Sequence, residues 1–235
     1  MKQLKFIPIS PDAEFDHLPP KPATTTLPQW YKDIPQFLDG EKKLRIIPGT
    51  VAVNSTVKRC TPFLDAMTAG YTIVLSEDVQ VIKKGTNTNL WWRSSSKIIT
   101  DHSQNQHPGL AIPAGYEPIV FKWANDWSIS TPKGYSLLCT HPLNRFDLPF
   151  LVINGFVDTD TYPLGIQFPF FIRSDFEGII ERGTPIAQLI PVKRDNWKSE
   201  VMPFDDNAAR KATKLFVGKI DRSYKNQFWH KKSYQ

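Results

Sequence analysis

Apolar and polar positions alternate in short bursts along this chain, and Gly or Pro closes almost every burst. The clearest run covers residues 131–192, as TPKGYSLLCTHPLNR (131–145), LPFLVINGFVDTDTYPLGIQFPFFI (148–172) and EGIIERGTPIAQLIPV (177–192). β-Branched and aromatic residues dominate it and turns fall at Lys133-Gly134, Asn154-Gly155 and Arg182-Gly183, so each piece reads as strand. Upstream, LKFIPI (4–9) predicts an edge strand ended by Pro8. KLRIIPGTVAVN (43–54) predicts a strand broken at Pro48-Gly49, and TIVLSEDVQVIKKG (72–85) two short strands around the Ser76-Glu77-Asp78 turn. Helical turns are expected near 28–32 and in TPFLDAMTAG (61–70), where Thr61 caps and Pro62 takes the first position. DDNAARKATKLFVGKIDR (205–222) alone predicts a longer helix, with an Asp/Asn cap and a stop near Gly218.

Composition sharpens this picture. Twenty prolines spread along 235 residues disfavour long helices before the C-terminus. With 40% hydrophobic and 12% aromatic residues, the chain can build a core and is not of the disordered class. No window approaches 18 consecutive apolar residues, and MKQLKFIPISPDAEF lacks the apolar centre of a signal peptide, so a soluble, cytoplasmic protein is expected, without a membrane partner. Cys60 and Cys139 lie 79 residues apart and read as ordinary thiols in a reducing compartment. The net charge of +6 is uneven: residues 207–235 carry eight basic side chains against Asp221, a surplus of seven.

The chemistry enters with the order of four segments. GFVDTDTY (155–162), followed 25 residues after Asp158 by GTPIAQLI (183–190), resembles the third and fourth motifs of the trimeric dUTPase family. AGYTIVLSEDVQV (69–81) is similar to that family's first motif, and KGYSLLCTHPLNR (133–145) stands where its second belongs. The resemblance spans roughly residues 65–192 and implies a dUTPase-like β-clip barrel, homotrimeric. It also implies roles: Asp158 as the carboxylate that activates the attacking water, Asp160 as its acidic companion, and Tyr162 as the ring that packs on deoxyribose. His141 and Arg145 are the residues near the second motif able to reach an anion, and Gln188 is the recurring polar residue of the fourth. Read from the residues alone, Asp158 and Asp160 equally fit an Asp-rich turn capping backbone N–H groups. The chain also looks similar to proteins of tailed phages, which would place it in the host cytoplasm or the virion.

Departures from the family pattern point away from catalysis. Thr72 follows Gly70-Tyr71 where the family has an aspartate, and a neutral hydroxyl cannot replace a carboxylate as a ligand for a hard cation. Pro142 and Leu143 stand over the triphosphate cradle; proline has no N–H to donate and leucine brings bulk. Thr161 is an extra residue before Tyr162, and Pro163-Leu164 replaces the arginine that follows. After Val192 only Gly218 remains of what should be a glycine-rich arm. The related dCTP deaminases place a catalytic glutamate on the next strand, and GIQFPFF (165–171) contains no acid.

Three regions stand outside the motifs. Residues 1–60 form a strap with Pro19, Pro20 and Pro22 and the aromatics Trp30, Tyr31 and Phe37. An insertion at about 86–131 holds Trp91, Trp92, Trp123 and Trp127, expected to pack in a hairpin or small lobe, with a base, sugar or partner platform as the alternative. Its Asp101, His102 and His107 match no strong metal spacing, and no resident metal is expected. Residues 193–235 form the basic, aromatic extension. The expectation is thus a mainly β body over 61–192 with an inserted lobe, an N-terminal Pro-rich strap and a C-terminal basic helix. Its expected function is non-catalytic binding or a structural role without cofactors; the alternative is a metal-dependent deoxynucleoside triphosphate diphosphohydrolase using Mg²⁺. The two extensions are expected to serve a protein partner or the trimer itself, ahead of nucleic acid.

Overall fold

A computed structural model describes residues 2–15, 17–45, 54–85, 87–217 and 223–235. The strand expected over 43–54 with its Pro48-Gly49 break, and the helix stop at Gly218, lie largely outside the described residues. The chain divides into two compact units, one of residues 1–26, 67–194 and 234, the other of 27–66, 195–233 and 235.

The first unit is mainly β. Its strands are β1 (Lys5–Pro8), β2 (Lys21–Pro22), β3 (Tyr71–Val74), β4 (Val79–Lys84), β5 (Asn87–Trp91), β6 (Ile99–Asp101), β7 (Phe121–Trp123), β8 (Trp127–Ser130), β9 (Tyr135–Thr140), β10 (Phe150–Val152), β11 (Gly155–Val157), β12 (Phe168–Ile172), β13 (Gly178–Ile180) and β14 (Pro185–Lys193). The described strands pair antiparallel in four open sheets, ordered β1-β8, β10-β12-β7-β6, β11-β9-β14-β3-β2 and β13-β4-β5. The mainly β body is therefore present, without a closed barrel among the described strands.

The strands of the 86–131 segment are woven into this body. β5 completes a hairpin with β4, and β6 and β7 extend the sheet of β10 and β12. Trp123 shows why: it is fully buried, stacked on Phe170 at 4.0 Å between ring centroids, with Phe150 edge-on at 5.4 Å. Ile73, Val79, Val81, Leu137, Phe168, Ile172 and Leu189 close the same core. Burying a large aromatic there contributes on the order of 3 kcal/mol before entropy is counted.

One glycine fixes how β3 meets β14. Gly70 has φ +69°, and a Cβ built on it would lie 1.9 Å from the Leu189 carbonyl oxygen, so only glycine lets the two backbones approach. Its own carbonyl accepts from the Ala23 N–H at 3.0 Å, which draws β2 onto the sheet edge.

The second unit is built on helices and turns: α2 (Gln29–Asp33) and most of α3 (Thr61–Thr68), then α4 (Asp206–Val217) and α5 (Ser223–Gln227), while α1 (Pro11–Phe15) belongs to the first. Tyr31 is buried, stacked on Phe63 at 5.9 Å, and Lys58 donates to its carbonyl at 2.6 Å. Buried Asn54 accepts from Arg45 N at 2.9 Å and donates to Lys43 O and Glu41. α4 starts where Asp205 Oδ1 accepts the Ala208 N–H at 3.0 Å, a side-chain N-cap. Both cysteines are free, Cys60 exposed and Cys139 buried. No helix of the described residues is long and apolar enough to cross a membrane.

Candidate functional site

The residues singled out by sequence lie around the two ends of β9. It pairs with β11 on one side, Gly155 opposite Cys139 and Val157 opposite Leu137, and with β14 on the other, from Gln188 opposite Thr140 to Lys193 opposite Tyr135. Ser136 and His141 are five residues apart, roughly 17 Å of extended chain. Asp158, Asp160 and Tyr162 therefore gather at the Ser136 end, and His141, Arg145 and Gln188 at the other. A single chain does not bring the six together.

At the Ser136 end, one guanidinium organises both acids. Arg194 Nη1 donates to Asp160 Oδ1 at 2.9 Å and Nη2 to Asp160 Oδ2, a bidentate fork, while Nη1 lies 3.2 Å from Asp158 Oδ1. Gly134 N–H donates to Asp160 Oδ2 at 2.8 Å, and Ser136 Oγ to Asp158 Oδ1 at 2.6 Å. Behind them Thr131 and Thr159 share a hydroxyl contact of 2.8 Å, and the Arg194 backbone N–H meets Gly134 O at 2.9 Å. The Asp160 side chain is 4% exposed, that of Asp158 63%. The Arg194 hydrogen bond, then the Gly134 N–H, holds the Asp160 carboxyl down at about 2, and the same contact raises Arg194. A carboxylate so stabilised as an anion is a poor proton acceptor near neutrality.

Thr161 is taken up by the turn after Asp158. The Asp158 carbonyl accepts from Thr161 N–H at 3.1 Å, Tyr162 N–H at 2.9 Å and Thr161 Oγ1 at 3.1 Å. Thr161 thus tightens an Asp-rich turn, and the Tyr162 ring is left partly exposed beside it. A hard cation such as Mg²⁺ needs several oxygens at once. Here both Asp160 oxygens are occupied, and no group of three or more His, Cys, Asp or Glu side chains among the described residues stands ready for a metal. Of the pair, Asp158 alone keeps an open carboxylate oxygen to offer a cation.

At the other end the polar groups are turned inward. His141 Nδ1 accepts from Val152 N–H at 3.4 Å and Nε2 faces Arg145 O at 3.1 Å, which assigns the neutral ring protonated at Nε2. Its ring lies edge-on to Phe150 at 5.9 Å, and burial lowers its pKa, with the Arg145 carbonyl opposing. Arg145 grips Asp147 through Nε and Nη2, both at 2.8 Å, and approaches Thr26 O at 3.4 Å. Gln188 is buried; its Oε1 accepts from Leu143 N–H at 2.8 Å and its Nε2 donates to Ala69 O at 2.7 Å. Thr72, also buried, sits between Gln188 and Lys21 in the sheet, its hydroxyl 3.3 Å from Thr26 Oγ1 and 3.4 Å from Lys21 O.

Arg194 was not among the residues the sequence nominated. The one signal for it is a basic pair, Lys193-Arg194, at the end of the largely apolar run 186–192. Asp101, His102 and His107 are also placed: the two imidazoles meet edge-to-face at 5.5 Å, and Asp101 is the last residue of β6.

No family model matches the chain, and no curated protein matches it. Among solved structures it is similar to a mutant dUTPase from phage phi11 of S. aureus that coordinates a structural Mg(II) ion, at 17% identity and a TM-score of 0.29, over 59% of this chain and 84% of that one. A likeness at that level assigns neither fold nor chemistry here.

Proposed function

We propose that this chain is a non-catalytic binding or structural protein on a dUTPase-like scaffold, working as a homotrimer or with a protein partner. The observation that carries it is the Arg194 clamp: the acid pair that would serve hydrolysis is engaged from within, Asp160 bidentately and Asp158 through Oδ1 alone. The hydroxyl of Thr72, the ring of His141 and the amide of Gln188 are spent on their own backbone, as structural polar groups are. Support for a partner comes from residues 195–205, which contain no regular element and leave Trp197, Val201, Met202 and Phe204 exposed. So many large apolar groups in one short stretch mark an interaction segment. Arg210, Lys211 and Lys214 of α4 after it stand exposed too.

The competing reading, a metal-dependent diphosphohydrolase, keeps one observation: Asp158 Oδ2 makes no hydrogen bond among the described residues and its side chain faces solvent. The two separate in one assay. Purified protein incubated with dUTP or dCTP and Mg²⁺ is expected to release no pyrophosphate above a blank. Release that vanishes in Asp158→Ala would overturn the non-catalytic proposal. Sedimentation equilibrium checks the assembly, with three chain masses expected and a lone chain counting against the trimer.

A further inference from the structure

The sheet β13-β4-β5 presents a row of outward side chains that none of the motifs explains. Its register sets Ile179 opposite Gln80 and Gln80 opposite Trp91. The alternating positions Val79, Val81 and Ile180 point into the core, so this row faces out, with Trp91 57% and Ile179 59% exposed. A single exposed tryptophan is ordinary. This one borders an open hollow of about 860 Å³ that Gln80, Arg93, Ile179, Arg182 and His17 also line.

The charges in the hollow are arranged unequally. Glu77 accepts from the backbone N–H groups of Arg93 at 3.1 Å and Ser94 at 3.0 Å and from the Ser94 hydroxyl, and Asp78 Oδ1 accepts from Arg182 N–H at 2.7 Å. Both acids are thus spent on holding the turns that bear the arginines. His17 is paired with Asp126 at 2.8 Å. The guanidinium groups of Arg93 and Arg182 have no ion pair or hydrogen bond among the described residues. Pinned backbone with open cationic heads suits a site for an anion, since the turns are held while the forks stay unconsumed.

We propose that this hollow binds a nucleotide unit, its base stacked on Trp91 and its phosphate held by Arg93 and Arg182. Indole is the best stacking surface a protein has, and a base offers the matching flat face. The guanidinium fork fits phosphate oxygens bidentately, and the Gln80 amide supplies a donor and an acceptor for the base edge. Glu77 and Asp78 in the wall disfavour a second phosphate inside the hollow, so one phosphorylated nucleoside, free or as one residue of a single strand, is the ligand that fits. This site lies apart from Asp158 and does not depend on whether the chain hydrolyses nucleotides.

Isothermal titration calorimetry on the full chain tests it, with dTMP and AMP as free nucleotides, a ten-residue oligothymidylate as the strand, and thymidine and ribose 5-phosphate as half-ligands. At least one of the first three is expected to bind saturably, with both half-ligands weaker. Trp91→Ala and the double variant Arg93→Gln/Arg182→Gln should each weaken it by about tenfold or more, with unfolding midpoints close to that of the parent protein. Preference for the mononucleotides or for the oligomer identifies the source. No binding by any nucleotide, binding unchanged in Trp91→Ala, or binding lost in Asp158→Ala alone would overturn the proposal. Asp158→Ala also separates it from the question of hydrolysis, since that variant is predicted to leave the hollow intact.

Discussion

The Ser136 end of β9 and the hollow beside Trp91 contain the same ingredients, two aspartate or glutamate residues and at least one arginine, and use them in opposite ways. At β9 the guanidinium of Arg194 closes on Asp158 and Asp160, so the cation is consumed within the chain and one carboxylate charge is left over. Beside Trp91 the acids close on backbone N–H groups, and the guanidinium groups are left facing solvent. The type of residue did not decide which place is available to a ligand. What decided it is whether the carboxylates hold a guanidinium: Asp160 takes Arg194 besides the Gly134 N–H, whereas Glu77 and Asp78 take backbone N–H groups and the Ser94 hydroxyl. A guanidinium already forked onto a carboxylate must break two charge-assisted bonds to take another anion.

The most severe way to break the comparison is to remove the scaffold both regions share. Gly70→Ala places a methyl group on the Leu189 carbonyl and a non-glycine residue at φ +69°, so it should cost about 3 kcal/mol or more and leave little folded protein, read by circular dichroism and urea denaturation. A milder change strikes one side only. Asp160→Asn leaves Arg194 without its strongest partner and should lower the unfolding midpoint more than Asp158→Ala does, while nucleotide binding at Trp91 persists; equal midpoints would mean that the clamp is not what holds this turn.

Acid sharpens the same contrast. In the folded chain Asp160 titrates at about 2, below the ordinary carboxylate value near 4, so the unfolded chain takes up the proton first. The stabilisation is complete above about pH 4 and is lost as the pH falls from there towards 2. Asp160→Asn should flatten that part of the stability profile. His141 acts one range higher: burial lowers its pKa, so below about 6.5 the unfolded chain binds the extra proton and stability declines with acid. Denaturant midpoints between pH 7 and 5 should fall less in His141→Gln. The smallest effect is chemical: a thiol reagent should modify Cys60 and spare Cys139, whose thiol burial pushes up to about 12, until the chain unfolds.

Local elements were legible in the sequence wherever the signal was local. Proline and glycine punctuation placed the edge strand ending at Pro8, the turn at Gly134 and the strand of GTPIAQLI, and the Asp205 cap announced α4. Pairing was not legible, because periodicity marks a strand without naming its neighbour. Trp123 was grouped with the other tryptophans of the insertion, yet β7 hydrogen-bonds β12 and drives that ring into the centre of the core, while Trp91, on the alternate face of a neighbouring sheet, comes out exposed. In the candidate site, Asp158 and Asp160 could be found by motif. Their partner Arg194 lies 34 residues past Asp160 and is brought back only by the register of β14 on β9. The inward turn of His141 likewise depends on Val152 and Arg145, which no spacing rule connects.

Arg194 is also the last residue of the first unit before the chain departs towards Trp197 and α4. Its backbone N–H is tied to Gly134 and its side chain to Asp160, Ser136 and the Tyr135 carbonyl, so the exit point is moored on both sides of the same residue. Whatever seizes the departing segment and pulls meets this mooring first, and the tension ends at the rim of the sheet instead of peeling β14 from β9.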